Sequence, residues 1–298
     1  MIYLKRFILP GEEKETDYKL DGMKPELDFS CYSGDGYPFG IFTHKYLNEL
    51  EFSSSVVILS GENGSGKSTL LNVMAEKLKL RRKTPINRSP CFSDFVALCR
   101  SEFQNVLPAE SEMITSDGVF DFLLDMRAVN EGIDASRRTI FESYMEDKRR
   151  LQTEGYRLSS LDDYDELKKY NEIKRSTMPE YVRKRMPGRD ITLHSNGESA
   201  LDIFESAIKE NALYLLDEPE NSLSAAHQKE LADFISDSAR FYGCQFIISS
   251  HSPFILSIKG AVVYDLDATP VTVRKWSELE SMKEYYGLFT DRENEFKN

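Results

Sequence analysis

The stretch that decides the fold runs from Gly61 to Thr69. It reads Gly61-Glu62-Asn63-Gly64-Ser65-Gly66-Lys67-Ser68-Thr69. Every fixed position of the pattern G-x-x-x-x-G-K-[ST] is present, and its glycines let successive backbone N–H groups converge on phosphate oxygens. A short β-branched run, Val56–Ser60, precedes it, and helical spacing of apolar residues follows over Lys67–Leu80. The stretch therefore predicts a buried strand, a phosphate-binding turn and a helix, in that order.

The same pattern assigns chemistry to individual side chains. Lys67 is expected to reach the β- and γ-phosphates of a nucleoside triphosphate, and the Ser68 hydroxyl is expected to ligate Mg²⁺. The helix that begins near Lys67 also turns its positive dipole end toward the phosphates. We therefore take all nine residues from Gly61 to Thr69 as candidate ATP ligands, with Lys67 also catalytic.

A second apolar run, Ala212–Leu216, ends in two carboxylates, Asp217 and Glu218. At the end of a strand, Asp217 can hold Mg²⁺ opposite Ser68, directly or through water. Glu218 is then placed to orient and deprotonate the water that attacks the γ-phosphate. An acidic turn after a strand is usually inert by itself, so this prediction depends on the phosphate-binding turn being present in the same chain.

The order of elements predicts an α/β fold of the P-loop NTPase type. Strand–loop–helix units indicate a mostly parallel central sheet, after an N-terminal antiparallel β part. The other predicted strands are Met1–Leu9, Leu27–Cys31, Phe39–Phe42, Gln245–Ser249, Val262–Asp265 and Val271–Arg274, and helices are expected over Ala225–Ala239 and from Ser277.

Composition narrows the class of protein. The chain has 298 residues, 40% of them hydrophobic, and a net charge of −12, which argues against a protein that coats nucleic acid over its whole surface. No apolar run approaches the ~20 residues of a membrane span. The four cysteines form no C-x-x-C pair, so neither a disulfide framework nor a zinc site is expected. These features predict a soluble, cytoplasmic protein with no membrane partner.

Two further segments complete a recognisable series. Ser195–Glu198 lies upstream of the acidic pair, and Ser250–Pro253 follows the Gln245–Ser249 run. Together with the P-loop and Asp217-Glu218, this series resembles the ABC ATPases. It is most similar to their soluble SMC/RecF-like branch and to stand-alone ATPases related to the overcoming-lysogenisation-defect proteins. The resemblance covers Val56 to about Leu80 and His194 to about Ser257.

The resemblance implies a role for the four signature residues Ser195, Asn196, Gly197 and Glu198. In the ABC family the matching segment contacts the γ-phosphate of ATP held by a second subunit, which implies an ATP-dependent homodimer. Two positions depart from the family pattern: His194 replaces a leucine and Asn196 a glycine. Asparagine tolerates the left-handed conformation, so the loop can keep its shape. The alternative is a helix N-cap, with Ser195 and Glu198 as a capping box.

Three other family positions are assigned in the same way. His251 matches the switch histidine, which hydrogen-bonds the γ-phosphate and positions the water. Asn221–Ser224 matches the D-loop, except that Ser224 stands where transporters commonly carry aspartate. Gln104 is the best candidate by distance from Lys67 for the Q-loop glutamine, a further Mg²⁺ contact. A surface glutamine is the favoured alternative for Gln104.

The chain is predicted to form one ABC-type ATPase domain over residues 1–298. Residues 1–118 form the N-terminal β part and P-loop core, and residues 119–190 form a charged helical lobe. Residues 191–298 form the core with the signature, the Walker B carboxylates, the switch histidine, and the C-terminal strands and helix. A basic run in the lobe, Arg183–Arg189, is either a contact for nucleic acid or an acidic partner or, as we favour, a solvated helix end.

We therefore expect a Mg²⁺-dependent ATPase that dimerises on ATP and acts on nucleic acid or on an effector protein such as a nuclease. Phage defence or DNA maintenance is the setting that the resemblance implies. One alternative is the nucleotide-binding subunit of a membrane ABC transporter. Another is a module that uses ATP only as a clamp, although Glu218 and His251 both favour turnover.

Overall fold

The fold is taken from a computed structural model, which describes residues 1–21, 36–86, 88–119, 196–221 and 223–297. Met1–Phe120 and Ser195–Asn298 belong to one compact unit, and the described residues lie within it. The predicted lobe, residues 119–190, lies outside the described residues except for Val119, and so does the predicted strand Leu27–Cys31. None of the described helices has the length and apolar character of a membrane span.

The elements are labelled in chain order over the described residues. The strands are β1 Leu4–Ile8, β2 Glu49–Glu51, β3 Val56–Ser60, β4 Arg81–Arg82, β5 Arg100–Phe103, β6 Glu112–Thr115, β7 Leu213–Asp217, β8 Gln245–Ser249, β9 Val262–Asp265 and β10 Thr272–Arg274. The helices are α1 Glu12–Asp21, α2 Lys67–Leu78, α3 Phe92–Leu98, α4 Asn196–Ala207, α5 Ala225–Phe241, α6 Pro253–Leu256, α7 Glu280–Asp291 and α8 Glu293–Phe296.

A seven-stranded sheet forms the centre of the fold, in the order β10-β9-β3-β8-β7-β6-β4. Its strands are parallel from β9 to β4, and only β10 runs antiparallel. All residues of β3 and β8 are buried, which explains the apolar runs Val56–Leu59 and Phe246–Ile248 within them. The register pairs Leu59 with Ser249 and Ser249 with Asp217. The carboxyl ends of β3, β8 and β7 therefore meet at one edge of the sheet.

A smaller antiparallel sheet, β2-β1-β5, packs against the same core. Its central strand is joined to β8 by Gln245, a fully buried residue whose side-chain oxygen accepts bonds from Tyr3 N (2.7 Å) and Leu4 N (2.9 Å). The Gln245 amide in turn donates to Leu4 O at 2.9 Å. These bonds attach the small sheet at the amino end of β8, the end remote from Ser249.

The sequence located the central strands better than the amino-terminal part. Val56–Ser60, Gln245–Ser249 and Val262–Asp265 match the structure at both ends, because buried parallel strands read as continuous apolar runs. The predicted strand Phe39–Phe42 is wrong: these residues form turns that lead into a 3₁₀ helix at Thr43–Lys45. The apolar side chains of this segment pack beside the P-loop and do not mark a paired strand. Phe42, for example, is buried there.

Candidate active site

The P-loop connects the end of β3 to the start of α2. Gly66 precedes α2 with a φ of 100°, a left-handed conformation that strains any residue with a Cβ. A Cβ on Gly66 would also lie 3.1 Å from Ile41 Cγ2, so the packing on this side of the loop requires glycine too. The turn that predicts phosphate binding is therefore built as expected, with its backbone at the carboxyl edge of the sheet.

Lys67 lies at the centre of the site and is buried, with 4% of its surface exposed. Its ammonium donates to Gly61 O at 2.5 Å and to Glu62 O at 3.1 Å, and it lies 2.8 Å from His251 Nε2. Since an ammonium only donates, His251 Nε2 is the acceptor of this pair. Burial lowers the pKa of Lys67, and the nearby carboxylates, Glu218 first among them, oppose that shift. A phosphate at this position would add an anionic partner for a buried cation.

Asp217, the last residue of β7, faces the first turn of α2. Its Oδ1 accepts hydrogen bonds from Ser68 Oγ at 2.9 Å and from Ser249 Oγ at 2.6 Å. Burial raises the pKa of Asp217, while the two hydroxyl donors act in the opposite direction. Ser68 and Asp217 thus bring a hydroxyl and a carboxylate oxygen together, a donor pair of the hard type that Mg²⁺ prefers. These two of the three predicted magnesium ligands fit that ion.

Glu218 follows Asp217 in a left-handed conformation, with φ 47°. Non-glycine residues rarely adopt this conformation, and it is often found at functional sites. The backbone N–H of Glu218 donates to Ser249 O at 3.0 Å. In the side chain, Oε2 accepts from Asn221 Nδ2 at 3.0 Å and Oε1 lies 3.7 Å from His251 Nε2. The turn therefore directs the Glu218 carboxylate toward His251 and Lys67.

Three residues that sequence reasoning did not select support these groups. Glu220 Oε1 accepts hydrogen bonds from the loop that carries His251. Lys45 Nζ donates to Ser65 O and to Leu266 O, both at 2.7 Å, and the Asp267 carboxylate accepts from Glu62 N at 2.8 Å and 3.0 Å. No local pattern marks these residues, because each acts through partners that are distant in the chain or through a turn formed only in the fold.

The predicted signature segment is described in part. Asn196, Gly197 and Glu198 are helical and belong to α4, and Ser195 lies outside the described residues. Helical backbone over these three residues agrees equally with a phosphate contact and with an N-cap. The assignment of these four residues to ATP therefore stays a prediction.

Gln104 is not brought to the site. Its backbone N–H donates to Tyr3 O at 2.8 Å, and Tyr3 is bonded to Gln245 at the amino end of β8. The site lies at the opposite, carboxyl end of that strand. On the β6 side, the sheet places Thr115 beside Asp217, with which it pairs in register. Distance along the chain from Lys67 was a poor guide, because β5 enters the small sheet before the chain returns to the large one.

The chain is similar in sequence to known proteins. The model of the family described as "AAA domain, putative AbiEii toxin, Type IV TA system" matches residues 102–257. An uncharacterised ABC transporter ATP-binding protein of Methanocaldococcus jannaschii is 25% identical over 281 residues, covering 90% of this chain and 96% of that protein.

Solved structures give weaker likenesses. A Smc head domain of Pyrococcus furiosus, bound to the C-terminal domain of ScpA, is 13% identical with a TM-score of 0.40, over 80% of this chain and 94% of that one. A dimeric bacterial ABC transporter cassette is 12% identical with a TM-score of 0.35, over 78% of this chain and 90% of that one. At these TM-scores neither likeness bears on function.

Proposed function

Since the chain belongs to the family described as "AAA domain, putative AbiEii toxin, Type IV TA system", we propose that it is an ATPase that hydrolyses ATP to ADP and phosphate with Mg²⁺. One observation carries the proposal: Lys67, Asp217 and Glu218 meet at the carboxyl edge of the sheet, with Ser68 Oγ 2.9 Å from Asp217 Oδ1. The P-loop follows β3 and the two carboxylates lie at the end of β7, on either side of β8, which supports a site with magnesium donors and a carboxylate base.

Each residue of the site has its own role in the proposed hydrolysis of ATP. The N–H groups of the P-loop and the Lys67 ammonium bind the phosphates and offset the charge that develops in the transition state. Glu218 accepts a proton from the attacking water, whose oxygen bonds to the γ-phosphorus as the bond to the β–γ bridging oxygen breaks. His251 orients that water and the γ-phosphate. Mg²⁺ held by Ser68 and Asp217 would neutralise phosphate charge.

Two substitutions test this assignment. Glu218→Gln keeps the shape of the side chain but removes the base, so we expect kcat to fall by about 10²–10⁴-fold while ATP still binds. Lys67→Ala removes the buried cation, and we expect ATP affinity itself to be lost. Steady-state hydrolysis and equilibrium binding of ATP separate the two effects. A Glu218→Gln protein that hydrolyses ATP at the wild-type rate would show that Glu218 is not the base.

We further propose that two copies enclose two ATP molecules. Each ATP lies between the P-loop of one copy and the segment Ser195–Glu198 of the other, as the resemblance to ABC ATPases implies. Closure on ATP would then act on nucleic acid or on an effector protein in the cytoplasm. The family's description supports a toxin–antitoxin setting, and the resemblance implies phage defence or DNA maintenance. Capture of partners on the Glu218→Gln protein with ATP tests this client class.

The printed name of the M. jannaschii relative favours a second candidate, the ATP-binding subunit of a membrane transporter. The two candidates differ in what they need for turnover. ATP hydrolysis by the isolated protein at its full rate, without membranes or a membrane partner, supports the first candidate. Strong stimulation by a co-purifying membrane protein supports the second.

A further inference from the structure

Glu220 is a buried carboxylate beside the proposed site. Only 8% of its surface is exposed, and it follows the base Glu218 by two residues. A single oxygen, Oε1, accepts three hydrogen bonds, from Ser250 Oγ at 2.8 Å, His251 N at 2.6 Å and Ser252 N at 3.1 Å. Three consecutive residues of the His251 loop are therefore bound by one atom.

The position of Glu220 is itself fixed by the turn after β7. Asn221 N donates to Glu218 O at 3.1 Å, and Leu223 N donates to Glu220 O at 3.0 Å. A second bridge runs in parallel: Gln228 Nε2 donates to Leu223 O at 3.1 Å, and Gln228 Oε1 accepts from Ser252 Oγ at 2.8 Å. The His251 loop is thus tied to the segment that carries Glu218 and not only to its own strand.

This attachment has a direct geometric consequence for His251. Its side chain is 42% exposed, and its Nε2 lies 2.8 Å from Lys67 Nζ and 3.7 Å from Glu218 Oε1. Because the ring is attached to this backbone, the position of the backbone affects where Nε2 lies. The backbone N–H of His251 donates to Glu220 at 2.6 Å. A shift of the loop would move Nε2 relative to both partners.

We propose that Glu220 is a positioning residue: it holds the His251 backbone so that the ring stays aligned with Lys67 and the base Glu218. The inference rests on the proposed ATPase function but assigns Glu220 no contact with ATP. Its oxygen Oε1 acts by accepting hydrogen bonds, and its action on catalysis passes through His251. Removal of Glu220 therefore has no further effect once His251 is absent.

Four proteins test the proposal by steady-state ATP hydrolysis: Glu220→Ala, Glu220→Gln, His251→Ala and the double variant Glu220→Ala/His251→Ala. We expect Glu220→Ala to lower kcat by roughly tenfold to a hundredfold, with KM for ATP changed by less than about threefold. Glu220→Gln keeps a carbonyl acceptor and should recover most of the rate. The double variant should be no slower than His251→Ala within about twofold, since both changes remove one function.

Gln245→Ala is the matched control. Gln245 is also buried and also makes three hydrogen bonds, but at the amino end of β8, away from His251. It should lower the melting temperature while leaving kcat below the transition within about twofold of wild type. Wild-type turnover by Glu220→Ala, or losses that multiply in the double variant, would overturn the proposal and leave the ATPase assignment intact.

A measurement that does not need ATP hydrolysis tests the positioning role of Glu220 separately from the ATPase function, in case the wild-type protein proves inactive. The imidazole Cε1–H signal of His251 is one of four histidine signals and is assigned by its loss in His251→Ala. Glu220→Ala should shift and broaden this signal, whereas Gln245→Ala should leave it in place. An unchanged His251 signal in Glu220→Ala would overturn the positioning role, and a shifted one would support it even if ATP hydrolysis were absent.

Discussion

Asp217 is an anionic side chain that the fold partly buries at the end of β7. Burial raises its pKa, so the ionised form is less stable in the folded protein than in water. The hydroxyls of Ser68 and Ser249 compensate in part. The ionised side chain is nevertheless the form that can bind Mg²⁺. This residue is therefore placed for ion binding at the expense of stability.

Asp217→Asn should stabilise the protein at pH 7.5 in the presence of a chelator. A raised pKa means that ionisation costs stability above the folded-state pKa, and the cost disappears below the ordinary aspartate pKa of about 3.9. We expect a melting temperature a few degrees above wild type at pH 7.5, with the difference shrinking as the pH is lowered toward 4. Thermal unfolding measured across this range checks it.

The control is Asp233→Asn, a change at an exposed aspartate of α5. It should leave the melting temperature within about a degree of wild type at every pH, since exposed substitutions change stability little. A lower melting temperature for Asp217→Asn at pH 7.5 would contradict the account, because the carboxylate would then stabilise the fold in the absence of metal.

At the scale of elements, the P-loop is held from both sides. Lys45, from the 3₁₀ helix before β2, donates to Ser65 O, and its second bond reaches Leu266 O just after β9. Asp267, one residue further, accepts from Glu62 N. The loop that binds phosphate is thus fixed by two segments that lie outside the motif. A preorganised loop does not need to order itself when the ligand binds.

Lys45→Met should weaken ATP binding without preventing folding. The change removes a charged donor from Ser65 O and Leu266 O, and hydrogen bonds to charged groups contribute about 1.5–3 kcal/mol. We expect the Kd for ATP to rise by roughly tenfold, measured calorimetrically in the Glu218→Gln background so that no turnover occurs. Lys259→Met, at an exposed lysine in the loop after α6, is the control and should leave the Kd unchanged. Equal affinities for the two proteins would show that the Lys45 contacts do not support the loop.

Sequence reasoning succeeded where an element is defined by its own residues. β3 and β8 were located to the residue because both are buried on each face, and α2 was located because it follows a glycine pattern. α1 was missed, since its sequence is almost entirely polar and carries no apolar periodicity. Gln104 was misplaced and Glu220 was overlooked for a shared reason: their surroundings are created by strand order and loop packing, which a local pattern does not contain.

At the scale of the whole molecule, the domain is an ABC-type P-loop ATPase. The carboxyl edge of its central sheet supplies one half of the proposed ATP site. The P-loop, Asp217, Glu218 and His251 lie on that edge, whereas Ser195 is assigned to the ATP of a second copy. Turnover in this account therefore depends on protein concentration, as it does for any site shared between two subunits. The proposed client, nucleic acid or an effector protein, would be acted on by the ATP-bound dimer of two copies.

Complementation between two inactive proteins is the most direct test of this shared site. Ser195→Arg blocks the signature contact and Glu218→Gln removes the base, so each protein alone should hydrolyse ATP at a small fraction of the wild-type rate. An equimolar mixture forms mixed dimers in which one site has both Ser195 and Glu218, and we predict recovery of up to about a quarter of the wild-type activity. A mixture no more active than the mean of its two components, at concentrations where the wild-type protein is fully active, would contradict the account.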